Sequence, residues 1–253
     1  MSEQSSRPVT VITGAGRGIG AAIAVRLAAA GHDLVLGYRR DAAAAGQVAD
    51  RVAAAGVRGV PVQADVTNEE DVRRLFEIAA DRLGPVTGLV NNAGVTAYLG
   101  DLAETPVDVI RSVIDVNLFG VVLCAHRAAQ LMSVRRGGAG GCIVNISSAA
   151  ATLGSAHEYV HYAAAKAAVD AFTTGLAREL ADDMVRVNAV APGLVHTGIH
   201  ADAGDPTRAN RLASRVPLGR AAEPEEIAPA VAWLLGPEAG YVTGAVLRVA
   251  GGM

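Results

Sequence analysis

The chain has 253 residues, enough for one large domain or at most two small ones. It is 51% hydrophobic but only 4% aromatic, a share carried mostly by Ala and Val that suits helices packed closely on a buried sheet. The net charge of −3 excludes a basic nucleic-acid footprint, no apolar run approaches the roughly 18 residues of a membrane helix, and "MSEQSSRP" lacks the apolar stretch of a secretory signal.

"VTVIT" (9–13) reads as a first strand, with a helix from about Ile19 to Ala30 behind it. Between them lies "TGAGRGIG" (13–20). Gly14, Gly16, Gly18 and Gly20 strip the turn of side chains, so that backbone N–H groups and a helix N-terminus can approach a pyrophosphate. The spacing departs from G-x-G-x-x-G, with Ile19 in the place of the last glycine, and no Gly-Lys-Ser/Thr follows as in a P-loop. A glycine-rich turn alone has a purely structural reading. Its place after the first strand of an alternating chain favours the dinucleotide one.

The second strand, "DLVLGY" (33–38), runs into "RR". NAD sites usually carry Asp or Glu there for the ribose 2′-hydroxyl. Here Tyr38 holds that place and no carboxylate comes before Asp41. Arg39, with Arg17 from the glycine loop, can clamp a 2′-phosphate by charge-assisted bonds, so NADP(H) is expected over NAD(H). An ordinary solvated turn of Arg39, Arg40 and Asp41 is the alternative.

"GVPVQA" (59–64) precedes a helix that Asn68 can cap and Gly84 can end. "GLVNNAG" (88–94) precedes a long helix from about Pro106 to Arg135, and "GCIVNIS" (141–147) another over about 159–181. "VRVNAVAPG" (185–193) is a sixth strand. The polar, Gly- and Pro-bearing segment that follows lacks a clear period and reads as a substrate flap at about 194–220. "PEEIAPAVAWLLG" is a last helix and "AVLRVAGG" a last strand. Continuously apolar strands alternating with helices predict an α/β fold: one doubly wound, Rossmann-like parallel sheet with helices on both faces, in a single domain over 1–253. Cys124 and Cys142 lie in apolar stretches and read as buried free thiols of a reducing, cytoplasmic compartment.

"EYVHYAAAKAAVD" (158–170) carries the chemistry. Tyr162 and Lys166 are four apart and share a helix face. A free phenol, with a pKa of about 10, is a poor base at neutral pH; a close ammonium favours the phenolate, each unit of depression being about 1.4 kcal/mol. Taken alone, such a pair is more often incidental, Ser148 more often a cap, and Asn117 often a partner for a buried backbone group. His196 and His200 are also four apart, but no third ligand or helical glutamate accompanies them and no metal site is expected.

In combination these strings resemble the short-chain dehydrogenase/reductase family along essentially the whole chain, and within it the 3-oxoacyl-(acyl carrier protein) reductase and glucose 1-dehydrogenase-like branch. "TGAGRGIG" matches the family's T-G-x-x-x-G-x-G, Asp65 in "ADVT" its adenine-contacting acid, and "NNAG" (91–94) its signature at the end of strand four. Asn117 in "DVNLFG", "NISS" (145–148), Tyr162 with Lys166, and "PGLVHT" (192–197) match the remaining motifs in the same order.

The resemblance implies Tyr162 as acid/base, Lys166 as its activator and holder of the nicotinamide ribose, Ser148 on the carbonyl oxygen, and Asn117 positioning a water that links Lys166 to solvent. It places Gly14, Arg17, Gly18, Ile19, Gly20, Tyr38, Arg39, Asp65, Val66, Asn91, Ala93, Gly94, Pro192, Gly193, Val195 and Thr197 at the cofactor. It further implies a homotetramer acting on a small carbonyl or alcohol, with no nucleic-acid or membrane partner. Two departures stand out. Ser148 lies 14 residues before Tyr162 where many members have 13, so Ser147 is also eligible; Ser148 is taken because this branch uses the second serine of "ISS". Ala250 stands where Asp is common. The function expected is hydride transfer between NADP(H) and a ketone or secondary alcohol. An NAD-linked sugar or polyol dehydrogenase would want an acid near residue 38, and a silent dinucleotide-binding regulator would have lost Tyr, Lys or Ser.

Overall fold

In a computed structural model describing residues 7–253, seven strands pair in parallel in the order β3-β2-β1-β4-β5-β6-β7. They are β1 Val9–Ile12, β2 Asp33–Tyr38, β3 Gly59–Gln63, β4 Val86–Asn91, β5 Gly141–Ile146, β6 Val185–Pro192 and β7 Val246–Val249. The reading of the chain's opening as free of a secretory signal falls mainly on residues 1–6, outside the described residues. The central strands are apolar without alternation because both their faces are covered: every residue of β1 is buried. β3, at one edge, alternates instead and carries Pro61 exposed, where a missing N–H costs no ladder bond.

Successive strand residues point to opposite faces, and this splits the core in two. Ile12, Leu36, Val90 and Val144 meet α1 (Gly18–Ala29), α2 (Ala42–Ala54) and the late helix Pro224–Leu235 on one side. Val11, Val35, Leu89 and Ile143 meet α3 (Glu69–Leu83) and Gly120–Met132 on the other, with Phe76 fully buried. Burying each such large side chain contributes roughly 1.5–3 kcal/mol. Asn68 caps α3 as its sequence predicts, accepting from Asp71 N at 3.0 Å, and Gly84 ends it with φ +112°.

The helix expected over 106–135 is not continuous. It runs as α4 (Val107–Ile114), a π-helical turn over Asp115–Phe119 and α5 (Gly120–Met132), with a short 3-10 turn beyond. After it come α6 (Ala150–Leu153), α7 (Val160–Glu179), α8 (Ile199–Asp202), α9 (Arg208–Leu212) and α10 (Pro224–Leu235). The segment without a period thus contains two short helices, too short to show one. Cys124 and Cys142 are free and buried, which pushes their thiols up to about 12 and about 11. Among the described residues no helix is long and apolar enough to cross a membrane.

Candidate active site

Strand order reverses between β1 and β4, and the loops leaving their C-terminal ends part to open a crevice. A cleft of about 760 Å³ lies there. The glycine loop supplies Gly14, Arg17, Gly18 and Ile19 to its wall; Tyr38, Arg39, Asp65 and Val66 come from the ends of β2 and β3. Ala93 and Gly94 follow β4, Ser148 follows β5, α7 supplies Tyr162 and Lys166, and Pro192, Gly193, Val195 and Thr197 end β6.

The glycine loop is held open by its neighbours. Gly14 and Gly18 have φ of +65° and +53°, and a Cβ on Gly14 would come to 3.0 Å from Ala93 Cα. Thr13 Oγ1 accepts from Asn92 N and Ala93 N, both at 3.0 Å, and Asn92 Nδ2 donates to Thr13 O and Gly14 O at 2.9 and 3.0 Å. α1 begins without a side-chain cap or a first-turn acid, leaving its N–H groups to an anion. Thr13 and Asn92 escaped the sequence reading. The doubled asparagine of "NNAG" was the available signal, and it was spent on Asn91.

Three predicted residues do not line the cleft: Gly20, Asn91 and Asn117. Gly20 packs beneath the loop, where a Cβ would collide with Gly14 O and approach Asn92 Nδ2 to 2.5 Å. Asn91 is buried behind β4, its Nδ2 donating to Asn145 Oδ1 at 2.9 Å, and Asn145 donates onward to Thr173 Oγ1 at 2.9 Å. Asn117 is fully buried in the π-turn. Its Nδ2 donates to Val95 O and Val113 O at 2.7 and 2.8 Å, tying the loop after β4 to the helix. It stands one layer behind the cleft wall, since a Cβ on Gly94 would lie 2.8 Å from Asn117 Oδ1 and 3.7 Å from Lys166 Nζ.

The two serines part company. Ser147 Oγ donates to Lys166 O at 3.3 Å, within α7, whereas Ser148 faces the Tyr162 hydroxyl and accepts from Ala150 N at 3.1 Å. Lys166 Nζ sits 5.7 Å from the Tyr162 ring centroid and donates to Ile146 O at 2.8 Å. Burial pushes the Tyr162 phenol above its ordinary range, with Tyr159 adding to the rise and the Ser148 hydrogen bond opposing it. The depression expected from Lys166 is not found: burial sets the direction for Tyr162, and the Lys166 ammonium is itself desolvated and pulled down to about 8, Asp170 opposing.

The 194–220 segment closes on three walls. Asp202 pairs with Arg17 of the glycine loop, Thr96 Oγ1 donates to Ile199 O at 3.3 Å, and Arg208 pairs with Glu158 while lying 5.1 Å over the Tyr159 ring. Tyr159 in turn meets Tyr162 edge-on at 5.2 Å. On either side of Tyr162, Thr96, Ala97 and Tyr159 line the cleft, while Tyr98, Leu99, His157 and Glu158 do not. His161 is buried, and burial pulls its imidazole below the ordinary range, a backbone hydrogen bond with Thr96 opposing. His200 Nε2 lies 3.0 Å from Val195 O and His196 4.0 Å from Glu223; no group of three or more metal-ligating side chains converges among the described residues. Both expected phosphate clamps have carboxylate partners, Arg39 Nε lying 2.8 Å from Asp65.

The cleft fits a dinucleotide by its own features: glycines where side chains would obstruct, an uncapped helix end, and a buried Lys166 with one of three donors used. Sequence and structure comparisons agree with that fit. Residues 14–253 match the family model described as enoyl-(acyl carrier protein) reductase. The cis-4-hydroxycyclohexanecarboxylate dehydrogenase of Sinomonas cyclohexanicum is 42% identical over 252 residues, covering 100% of this chain and 98% of that one. A short-chain dehydrogenase/reductase from Serratia marcescens superposes with a TM-score of 0.88 at 35% identity, covering 97% of each chain. Two further structures carry different dinucleotides. A metagenomic blue fluorescent protein in complex with NADPH (TM-score 0.87, 36% identity) covers 97% of both chains. So does the Brucella melitensis 3-ketoacyl-(acyl carrier protein) reductase complexed with NADH (TM-score 0.88, 31% identity).

Proposed function

The chain belongs to the short-chain dehydrogenase/reductase family, in the branch of the 3-oxoacyl-(acyl carrier protein) reductases, and on that premise we propose that it is an NADP(H)-dependent reductase of neutral ketones. The observation that carries this reading is the convergence of Ser148, Tyr162 and Lys166 on one cleft wall, with Tyr162 enclosed. When bound, the reduced nicotinamide supplies the hydride that the carbonyl carbon receives. Ser148 Oγ donates to the carbonyl oxygen and polarises it. Tyr162 Oη delivers the proton as charge develops there. Lys166, held at Ile146 O, steadies the phenolate left behind and offers its free donors to the ribose. Asn117 holds the loop that carries Gly94 against Lys166, a positioning role that leaves the proton path to Lys166 and water.

The wall beside Tyr162 supports a neutral substrate. Val95 and Tyr159 pack against it, and Ala97, Val116 and Ile199 line the same cleft, with Ser112 and His200 as polar groups. Residues 194–220 act as the flap over that substrate in a single-domain enzyme of the cytoplasm, where the two free thiols stay reduced. Exposed Val107, Ile114 and Phe119 along α4–α5, and Trp233 and Val246 on α10 and β7, give the apolar faces for a homotetramer. Light scattering should return four chains per particle; a monomer would remove the proposal.

NADP(H) preference rests on Arg17 and Arg39 at the cleft and on the absence of an acid at Tyr38. Reduced-cofactor oxidation with an activated β-keto ester, NADPH beside NADH, tests function and cofactor together. Arg39→Ala should raise KM for NADPH about 10-fold, as loss of a charge-assisted contact would, and leave NADH little changed. Turnover with NADH alone would reassign the enzyme to the NAD-linked reading.

A further inference from the structure

Three arginines and three carboxylates line the cleft, Arg17, Arg39 and Arg40 with Asp41, Asp65 and Asp202, and two of each form pairs, Arg17 with Asp202 and Arg39 with Asp65. Two of the carboxylates are occupied by the fold. Asp41 caps α2, accepting from Ala44 N at 2.9 Å. Asp65 accepts from Thr67 N and Oγ1 at 3.0 and 2.8 Å and also pairs with Arg39. Asp202 has no such duty. Among the described residues its carboxylate accepts from Arg17 alone. The flap backbone closes on the same guanidinium, for a Cβ on Gly198 would come to 3.1 Å from Arg17 Nη1.

We propose that Asp202 is a specificity-determining residue that masks Arg17, so that a dinucleotide bearing a 2′-phosphate must displace the flap carboxylate while one without it leaves the pair intact. The proposal rests on the reading that Arg17 faces the 2′ position. A phosphate and a carboxylate compete for one cation, and each repels the other while both are near it. The ion pair itself is largely exposed and weak, so it yields readily to a dianion. The repulsion is what persists, worth up to about tenfold in affinity at low ionic strength across several ångströms of water-like medium. The cleft therefore binds NADP(H) less tightly than its arginines alone would allow. Arrival of the phosphate also releases Asp202, at the end of α8, from the glycine loop, while Thr96 still holds Ile199 at the start of that helix and Glu158 holds Arg208.

The test is the dissociation constant of NADPH and of NADH, read by cofactor fluorescence on the full chain at low and at physiological salt. Wild type, Asp202→Asn, Arg17→Gln and the double variant are compared. Asp202→Asn should tighten NADPH about fivefold at low salt, less at physiological salt, and move NADH less than about twofold. The gain should vanish in the Arg17→Gln background, because among the described residues Arg17 alone holds the Asp202 carboxylate beside the phosphate, and without it the carboxylate turns to solvent. An unchanged NADPH affinity, an equal shift of both dinucleotides, or a gain that survives Arg17→Gln would each overturn the masking role. Wild type and Arg17→Gln binding NADPH alike would strike the cofactor reading beneath it, and the proposal with it.

Discussion

Replacing Tyr162 by Phe should lower kcat for ketone reduction about 10³-fold while the dissociation constant of the reduced dinucleotide stays within about twofold. The substitution removes one oxygen and keeps the ring, so the edge-on contact with Tyr159 and the packing against Val113 and Ala163 survive. What is lost is the phenol placed to give its proton to the carbonyl oxygen, while Ser148 and Lys166 stay in place. Water can substitute, but without the orientation that Ser148 and the helix impose. Single-turnover rates, with cofactor binding measured separately, distinguish this from a folding defect. A variant keeping a tenth of wild-type turnover would take the acid/base role away from Tyr162.

Lys166→Met should abolish activity almost as thoroughly, about 10²-fold or more, yet yield a more stable protein. Burial pulls Lys166 from an unfolded-state value of about 10.5 to about 8. At pH 7 the amine is charged in both states, so folding bears the cost of desolvating it, on the order of 3 kcal/mol. Methionine removes that cost and fills similar space, at the expense of the hydrogen bond to Ile146 O. The net gain is about 1 kcal/mol, a rise in Tm of roughly 2–4 °C for a chain of this length. The sign has its own pH signature. The unfolded chain binds more protons than the folded one between the two pKa values, so wild-type stability rises there by about 1.4 kcal/mol per pH unit, and a gap of about 1 kcal/mol closes within about one unit above pH 8 and reverses before 10.5. Below about pH 8 the gap is constant. A variant less stable than wild type at pH 7, with no such convergence, would show that the lysine is a structural asset rather than a functional expense.

The layered fold was legible because its signals are local or periodic. Apolar strands, the Asn68 cap and the Gly84 stop each declare themselves within a few residues. The Tyr162–Lys166 pairing was legible for the same reason, since one helix sets it. Spacing alone left Ser147 and Ser148 both eligible, and Ser148 was taken on the family resemblance; the two differ in which way the strand end turns, which packing against α7 decides. Asn117 shows the limit from the other side. Its π-turn depends on the carbonyls of Val95 and Val113, 22 residues and 4 residues away, and no helical pattern over 106–135 reports it. Nor does charge pattern reveal that Arg17 and Arg39 already face carboxylates from residues 202 and 65. Tyr162 carries the sharpest lesson: spacing placed an ammonium beside it, but burial, which spacing does not encode, sets the direction of its pKa.

The junction of Thr13 with Asn92 and Ala93 has a consequence for the order in which the site comes into being. The glycine loop is made within the first 20 residues of the chain, but its clamp arrives about 80 residues later, and Lys166 and Thr197 later still. During synthesis the loop must wait, its strand flanked on one side by β2 and on the other by nothing until β4 is delivered. An N-terminal fragment that ends before β4 lacks the clamp on the glycine loop. Dinucleotide affinity in this protein is therefore a report on completion: it marks the moment when distant stretches of one chain have found each other.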